Sequence, residues 1–423
     1  MWLINWLKGV LLFCVISLLW IRPEPVVAGG LKDFVADLYG GDGILLGATP
    51  PPFPSHAPHF AASSLGGLDS LSAELASNVG QLTFGSTVTG FTFDIERGVP
   101  VRTTETLGPL VAERGPTLGA GRLNVAFSYT RLDYKKFDGD DLDDLSLIFS
   151  HDDVNGDGVL GPPLDFELDE INVDVDIEIT QDVFSIFATY GLTRTLDVGF
   201  VVPIVHIDVR AKALATIVRN SASSPFVHNF DPATGDSCID FDPARPDQCK
   251  DESGGDATGI GDVLLRTKYN FLRNQEGWPD LAIFGQVKLP TGDKDDLLGT
   301  GETNFLALLV ATKSFGLGSD IRWLEPHLNF GYELSTDSDQ DNLRYIAGLD
   351  ARVHPRLTTA IDVLGRWEPN GDPIGNNLVD FAFGVKWNPF RTLVLNGNVL
   401  LPVNKDEGLR TDVIWTVGVE YTF

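Results

Sequence analysis

The chain contains 423 residues, and its 59 Asp and Glu residues outnumber its 31 Lys and Arg residues, which gives a net charge of −28. A chain this acidic repels phosphates, so its composition argues against a nucleic-acid partner. Hydrophobic residues make up 43% of the chain and three residues are cysteine, which excludes a disordered chain and a disulfide-dense small domain. The protein is therefore globular or embedded in a membrane.

The N-terminus has the pattern of an export signal. Residues 2–21 are almost wholly apolar with Lys8 near their start, and the small residues that follow end at Ala28. This arrangement predicts a secretory signal peptide over residues 1–28, cut after Ala28. A retained membrane anchor is the alternative, because twenty apolar residues can cross a bilayer. The two prolines between the apolar run and Ala28 favour cleavage.

Residues 29–79 form a segment without an alternating apolar pattern. The segment combines a helical-looking stretch, Leu31–Leu38, with the proline-rich stretch Pro50–Pro58. If the rest of the chain forms a barrel, as argued next, two placements stay open for this segment. It is either a plug folded into the lumen from the periplasmic end or a loosely held periplasmic tail.

Residues 80–423 repeatedly place apolar side chains at every second position, which indicates strands with one face in an apolar medium. The last segment shows this best, with an apolar face made of Val413, Trp415, Val417, Val419, Tyr421 and Phe423. No stretch after the signal peptide is long enough for a helical span, so a closed antiparallel barrel is the remaining route through a bilayer. Trp415, Tyr421 and Phe423 are typical of the C-terminal signal that the barrel-assembly machinery recognises. The alternative is the edge strand of a soluble β-sandwich.

The alternation predicts an all-β fold, an antiparallel transmembrane barrel over residues 80–423 with about fourteen strands, or twelve as the alternative count. The predicted strands are 80–96, 101–114, 121–135, 166–190, 195–219, 259–272, 279–290, 302–316, 322–335, 342–354, 357–368, 377–388, 391–402 and 412–423. Two long loops are expected at 136–165 and 220–258. The strands 166–190 and 195–219 are longer than a bilayer requires, so we expect them to stand above it.

Charged side chains keep to one face of the later strands. Because the apolar face of such a barrel meets lipid, the charged face should line the lumen. The candidate lumen-lining residues are Glu325, His327, Asp350, Arg352, Asp362, Arg366 and Lys386. Their mixed signs would suit either an open lumen or one closed by ion pairs across the strands.

Asp153, Asn155 and Asp157 begin an Asp-x-Asn-x-Asp-Gly motif in the first long loop. Oxygen ligands at alternate positions with Gly at the sixth position are typical of a calcium loop. The twelfth position, where an EF-hand has Glu, is Leu164, so the motif is incomplete. The sequence leaves two interpretations open, a calcium site or an acidic solvated loop with a tight turn.

Cys238 and Cys249 are the two cysteines that remain after loss of the signal peptide. An even pair that is close in sequence, in an exported protein, predicts one disulfide across a loop. This bond would lie in the second long loop, away from the predicted barrel wall.

Four short motifs resemble a known family. They are Gly259-Ile260-Gly261-Asp262, Leu289-Pro290-Thr291-Gly292-Asp293, Asn329-Phe330-Gly331-Tyr332 and the closing Val417-Gly418-Val419-Glu420-Tyr421-Thr422-Phe423. In this order they resemble the outer-membrane barrel transporters of the phenol-degradation (MetA-pathway) type, which are related to aromatic-hydrocarbon and fatty acid uptake channels. The resemblance implies a monomeric barrel that admits small hydrophobic or aromatic compounds. The resemblance covers roughly residues 80–423 by pattern and supplies no binding residues. The chain departs from the family in the insertion around 136–165 and in the cysteine-containing loop 220–258.

The sequence contains no recognisable catalytic motif: Gly-x-Ser-x-Gly, His-Glu-x-x-His, a phosphate-binding loop and Cys-x-x-Cys are all missing. We therefore expect no enzyme and no cofactor other than the calcium considered above. The first hypothesis is a channel for passive uptake of small hydrophobic or aromatic compounds, with outer-membrane lipid and the solute as partners. A structural or adhesive outer-membrane barrel with calcium-stabilised loops is the second hypothesis, and a barrel enzyme is the third.

Overall fold

The fold is taken from a computed structural model. It describes residues 30–39, 44, 46–47, 60, 91–94, 99–102, 105–154, 156–162, 164–220, 227–231, 238–273, 277–317, 323–336, 341–369 and 377–423. For 91–94 and 99–102 it describes the backbone. The expected signal peptide, most of the segment 29–79 and Asn155 lie outside the described residues.

The described chain consists almost entirely of strands. They are β1 Phe91–Asp94, β2 Val99–Arg102, β3 Leu123–Phe137, β4 Asp140–Asp141, β5 Leu145–Ser150, β6 Glu170–Gly191, β7 Leu196–Val218, β8 Gln248–Ile260, β9 Val263–Leu272, β10 Asp280–Leu289, β11 Asn304–Thr312, β12 Phe315–Gly316, β13 Trp323–Ser335, β14 Asn342–His354, β15 Leu357–Trp367, β16 Asn377–Phe390, β17 Leu393–Pro402, β18 Leu409–Thr411 and β19 Ile414–Thr422. Short 3-10 turns occupy Leu31–Asp33 and Asp165–Leu168. No helix among the described residues is long and apolar enough to cross a membrane.

The strands form a closed antiparallel barrel, which confirms the predicted fold class. The barrel closes where β19 pairs with β3, with Thr422 opposite Asn124. β8 and β9 together act as one wall strand, because β7 pairs with β8 along its upper part and with β9 along its lower part. The wall therefore has twelve strands, so the count of fourteen is wrong and the alternative count is correct.

The two predicted strands that are missing from the wall are 80–96 and 101–114. In their place, β1 and β2 form a separate two-stranded hairpin, and the wall begins at Leu123. The sequence Gly108-Pro109 explains part of this error, because proline cannot donate to a strand ladder and glycine weakens a strand interior. Residues 105–118 lie inside the barrel and are described below.

The second long loop is shorter than predicted, because Gln248–Ile260 of the expected loop 220–258 is strand β8. β8 pairs with β7 from Thr216 opposite Gln248 to Ile204 opposite Ile260. Its sequence is rich in Gly and acidic residues and lacks the apolar alternation of a lipid-facing strand. A strand that stands above the bilayer does not need that alternation, which is why the pattern missed it.

The barrel has two different ends. The turn end carries the tight connections 192–195, 355–356 and 391–392 together with the C-terminal Phe423. The loop end carries the connection 219–247 and the stretch 138–169, which is predicted to be a loop but contains β4, paired with β3, and β5, paired with β6. In outer-membrane barrels the tight turns face the periplasm and the long loops face outward.

The outer surface of β6 and β7 changes character at one level, where Asp182 lies opposite His206. Toward the turn end the outward side chains are apolar: Phe184, Ile186, Val198, Phe200, Val202 and Ile204. Toward the loop end most of them are charged: Asp174, Asp176, Glu178, Asp208, Arg210 and Lys212. The inward side chains of this upper part, such as Ile177 and Ile207, are buried and apolar. The upper halves of both strands thus have the polarity of a water-soluble sheet, which agrees with the expectation that they stand above the bilayer.

The described part of the segment 29–79 lies at the loop end. Leu31, Phe34 and Leu38 are buried in the same apolar cluster as the inner faces of β6 and β7. The Lys32 ammonium lies 2.7 Å from Asp295 Oδ1 in the loop after β10, and this hydrogen bond lowers the pKa of the exposed Asp295 carboxyl. These residues therefore lie against the inner face of the upper wall, and the choice between a plug and a tail for the whole segment stays a prediction. Their apolar side chains cover the apolar inner face of the tall strands.

Candidate solute cavity in the barrel

Residues 105–118, here called the lumen segment, fold into the barrel from the turn end. Five backbone N–H groups of the segment donate hydrogen bonds to inward side chains of the wall. These bonds are Leu107 to Thr358 Oγ1 (3.0 Å), Val111 to Asp362 Oδ2 (3.2 Å), Glu113 to Asn329 Oδ1 (2.6 Å), Gly115 to Thr312 Oγ1 (3.0 Å) and Leu118 to Asp197 Oδ2 (2.9 Å). Asp362 lies deeper in the barrel than Thr358 and Thr312, which are at the ends of their strands. The segment therefore rises to a tip at Leu110 and Val111 and returns to the turn end.

A buried ion pair fixes the lumen segment to the wall. The Arg114 guanidinium contacts Glu325, and both side chains are almost fully buried. Glu325 also accepts hydrogen bonds from Thr106 (3.2 Å) and from Ser314 (2.5 Å), so one carboxylate holds both legs of the segment. Removing one partner of such a pair would leave an uncompensated buried charge.

Gly115 lies where the second leg of the lumen segment passes close to the wall. A Cβ atom at this position would lie 2.7 Å from the carbonyl oxygen of Asp280. The carbonyl oxygen of Gly115 accepts a hydrogen bond from Asn270 Nδ2 at 2.8 Å. The absence of a side chain thus allows the backbone of the segment to approach the wall directly.

The structure places all seven candidate lumen-lining residues on the inner face of the wall. Six of them are buried, namely Glu325, His327, Asp350, Arg352, Asp362 and Lys386, and the side chain of Arg366 is 12% exposed. Three of the seven contact the lumen segment: Glu325 and Asp362, as described above, and Arg352, whose Nη1 lies 2.9 Å from Glu105. The structure also joins His327 to Asp362, with 2.6 Å between Nε2 and Oδ1, while Asp350 Oδ2 lies 3.8 Å from His327 Nδ1.

Above the tip of the lumen segment is a cavity of about 190 Å³. One part of its lining is apolar and consists of Leu110, Val111, Ile346, Leu364, Leu400 and Ile414. The other part is charged and consists of Arg344, Arg366, Asp380, Lys386, Arg410 and Glu420. An apolar cavity of about 150 Å³ in another protein is large enough to bind benzene. The volume and the apolar side of this cavity therefore suit one small aromatic molecule.

Most of the charged groups around the cavity are paired. Lys386 Nζ lies 3.3 Å from Glu420 Oε1, Arg410 Nη2 lies 3.0 Å from Asp380 Oδ1 and Arg344 Nη2 lies 2.5 Å from Glu333 Oε2. Such pairing compensates part of the cost of removing each charge from water. The pairs also keep these side chains in defined positions along the wall.

Several residues of this site were missed by sequence reasoning. Glu420 could have been found, because it alternates with the lipid-facing residues of the last strand. Arg114 and the tip residues Leu110 and Val111 carry no periodic signal. The predicted wall strand 101–114 includes them, whereas the structure places residues 105–118 inside the barrel.

The structure describes two of the three candidate calcium ligands. The two carboxylate oxygens of Asp153 accept hydrogen bonds from the N–H groups of Gly156 and Gly158, each at 2.7 Å. Asp157 Oδ1 accepts one from Val159 N–H at 2.9 Å. Within the described residues no group of three or more His, Cys, Asp or Glu side chains is arranged around a metal position. Calcium binding stays a prediction.

Cys238 and Cys249 form a disulfide, with 5.2 Å between their Cα atoms. Cys249 belongs to β8 and lies opposite Ala215 of β7, so the bond ties the loop after β7 to the upper wall. At the C-terminus, Trp415 and Phe423 are exposed on the outer surface, and the rings of Tyr421 and Phe423 are in contact with centroids 4.7 Å apart. This aromatic group lies on the lipid-facing side of β19.

The family model named for the MetA pathway of phenol degradation matches residues 150–415, which is more than half of the chain. The chain belongs to this family. The match covers the wall from the first long loop into β19 and leaves out the lumen segment. A comparison with curated proteins found no match.

Several solved barrels share the general architecture at low similarity. The COG4313 outer membrane channel from Pseudomonas putida F1 is 12% identical with a TM-score of 0.41, and the match covers 74% of this chain and 99% of the other. The toluene transporter TbuX from Ralstonia pickettii is 13% identical with a TM-score of 0.34, and the match covers 80% and 98%. At these scores the likenesses carry no argument about the cavity or its solute.

Proposed function

We propose that the protein is an outer-membrane channel for passive uptake of small hydrophobic or aromatic compounds. The observation that carries the proposal is the cavity of about 190 Å³ inside the barrel, with its apolar lining from the wall and from the tip of the lumen segment. Membership of the phenol-degradation family agrees with an aromatic solute. The solute is driven by its own concentration gradient.

In this proposal the route runs from the loop end to the cavity and then past the lumen segment to the periplasm. The tip of the segment packs by Leu110 and Val111 against Leu364 and Leu400 and is held by one hydrogen bond at Asp362. Displacement of the tip would open the lower route without breaking the wall. Selectivity then comes from the width of the lumen, its apolar lining and its inward charges.

The alternative is a structural or adhesive barrel whose lumen stays closed. The observation that favours it is the buried contact between Arg114 and Glu325, which ties the lumen segment to the wall. In either case we propose a monomer without catalytic activity, folded by the barrel-assembly machinery through its C-terminal aromatic residues. An uptake measurement separates the two functions.

The experiment measures entry of labelled toluene into vesicles that carry lipopolysaccharide in the outer leaflet, with and without the folded protein. Leu364→Trp fills the cavity, and Val363→Trp adds the same bulk at the neighbouring lipid-facing position. We expect faster uptake with wild type than in protein-free vesicles. Leu364→Trp should lose most of this uptake, whereas Val363→Trp should keep it. A folded wild-type barrel that does not speed toluene entry would favour the structural alternative.

A further inference from the structure

We propose that the cavity is built for an aromatic molecule that carries a carboxylate, and that Arg366 binds this carboxylate. The inference rests on the proposed function, because it names the class of solute that the same cavity holds. It starts from the one cavity-lining arginine whose hydrogen-bonding capacity is not used by the described residues.

The three arginines of the cavity differ in their partners. Arg344 donates to Glu333 from Nε at 2.7 Å, and Arg410 donates to Asp380 at 3.0 Å and to the carbonyl of Asn404 at 3.0 Å. Within the described residues, the side chain of Arg366 donates no hydrogen bond, and its buried Nε has no hydrogen-bond partner. Glu368 Oε1 lies 3.2 Å from Arg366 Nε, but without the alignment of a hydrogen bond. A guanidinium has five N–H donors, so Arg366 presents an unsatisfied donor set at the cavity.

The position of Arg366 opposite a second arginine also favours a bound anion. Arg366 and Arg344 are direct cross-strand partners on β15 and β14, and both point inward. Like charges in directly opposite positions destabilise a sheet. An anion bound between them would remove that repulsion. Glu333 and Asp380 are already paired with Arg344 and Arg410, and Glu368 lies 3.2 Å from Arg366 Nε without forming a hydrogen bond with it.

The apolar part of the cavity begins next to Arg366. Leu364 precedes it by two residues on the same face of β15 and lies opposite Ile346 of β14. Two residues along a strand span roughly 7 Å. An aromatic ring packed against Leu364 and Ile346 would therefore place a ring-bound carboxylate at the guanidinium.

A carboxylate is the group that fits this donor set. Guanidinium and carboxylate form two parallel charge-assisted hydrogen bonds, which a neutral substituent cannot provide. A neutral aromatic molecule of the same shape would displace water from Arg366 and leave its donors unmet. The site therefore discriminates by charge between solutes of the same shape, which make the same contacts with the apolar lining.

The test compares binding of benzoate with binding of its neutral analogue benzamide by calorimetry, using the full-length folded protein in detergent. We expect wild type to prefer benzoate and Arg366→Gln to lower the benzoate-to-benzamide preference about ten- to hundredfold, the usual range for a charge-assisted hydrogen bond. Arg366→Lys keeps the charge without the planar fork and should fall in between. Arg210→Gln, an exposed arginine on the outer surface of β7, is the matched control and should keep the wild-type preference.

Glu368→Gln provides an independent variant in case Arg366→Gln does not fold. It removes the ion-pair partner of Arg366 and should raise the benzoate preference. Equal binding of benzoate and benzamide by wild type, an unchanged preference in Arg366→Gln, or no rise in Glu368→Gln would each overturn the inference. Toluene uptake, measured after the same protein is reconstituted into vesicles, separates the two proposals. Uptake without a benzoate preference overturns the carboxylate site alone, whereas the absence of both overturns the channel as well.

Discussion

The backbone N–H of Val111, at the tip of the lumen segment, donates a hydrogen bond of 3.2 Å to Oδ2 of Asp362 in the middle of β15. The other oxygen of the same carboxylate lies 2.6 Å from His327 Nε2. One wall side chain thus holds both the tip of the segment and a histidine on a strand two places away in the sheet. Because Val111 lines the cavity, its hydrogen bond to Asp362 also fixes the lower boundary of the cavity.

Asp362→Ala should therefore release the tip of the lumen segment while the barrel wall stays folded. Val111 N–H would lose its partner, at a cost of about 1–3 kcal/mol for a buried group, and the lower route would open more often. We expect faster swelling of proteoliposomes in arabinose, a small hydrophilic solute that the closed lumen excludes. Asp174→Ala, on the outer surface of β6, is the control and should leave the swelling rate unchanged. Equal rates for the two variants would contradict the role of Asp362.

Gly115→Val should have a similar effect by a different cause. A Cβ atom there would lie 2.7 Å from the Asp280 carbonyl, so the second leg of the lumen segment must move away from the wall. We expect higher single-channel conductance in planar bilayers than for wild type. Gly397→Val is the control, because the nearest atom to a Cβ there is 4.0 Å away. Conductance at the wild-type level in Gly115→Val, in a barrel that is demonstrably folded, would count against a segment held by close backbone contact.

The parts of the fold that could be predicted from the sequence are the strands whose outer face contacts lipid. Each lipid-facing strand must place an apolar side chain at every second position, so the inward position of Glu325 or Lys386 follows from counting residues along the strand. The same counting gives the wall strands from β9 to β19. It needs no knowledge of which strands are neighbours.

The lumen segment and the upper wall could not be predicted in this way. The lumen segment is held by backbone N–H groups that bond to single wall side chains, such as Val111 to Asp362, and such contacts leave no period in the sequence. The strand Gln248–Ile260 stands above the bilayer, so nothing forces its outward residues to be apolar. The burial of Phe34 at the loop end depends on a long-range contact with the inner faces of β6 and β7. Pattern and propensity describe local structure and do not report such contacts.

The disulfide between Cys238 and Cys249 should stabilise the loop end and leave the barrel almost unaffected. The bond closes a short loop with a sequence separation of 11 residues, which corresponds to roughly 3 kcal/mol in the chain-entropy estimate. In Cys238→Ser/Cys249→Ser we expect faster proteolysis of the 219–247 connection and an unchanged temperature for the heat-dependent gel shift of the barrel. Thiol labelling of the unreduced wild type checks the bond directly, and two reactive thiols per chain would refute it.

The motif formed by Asp153, Asn155 and Asp157 predicts weak calcium binding. The twelfth ligand of a calcium loop is missing, and Asp153 already accepts two backbone hydrogen bonds. We expect a Kd in the range of about 10⁻⁴ to 10⁻³ M, as in extracellular modules. Calorimetry should detect calcium binding in wild type and none in Asp157→Ala, whereas Asp143→Ala outside the motif should bind as wild type. Identical titrations for wild type and Asp157→Ala would leave a solvated turn as the interpretation.

The ion pair between Lys386 and Glu420 gives the last prediction, because it joins the inner faces of β16 and β19 beside the cavity. Both side chains are almost fully buried, and Glu420 also accepts a hydrogen bond from Asn396 at 3.2 Å. Lys386→Met leaves the Glu420 carboxylate buried without its cation, so we expect a loss of about 3–5 kcal/mol in the free energy of unfolding. The double variant Lys386→Met/Glu420→Gln removes both charges and should recover most of that loss. Unfolding in urea, followed by tryptophan fluorescence in detergent, measures the three free energies. If the double variant is as unstable as Lys386→Met, the loss comes from packing around the lysine stem, and the pair does not act by charge compensation.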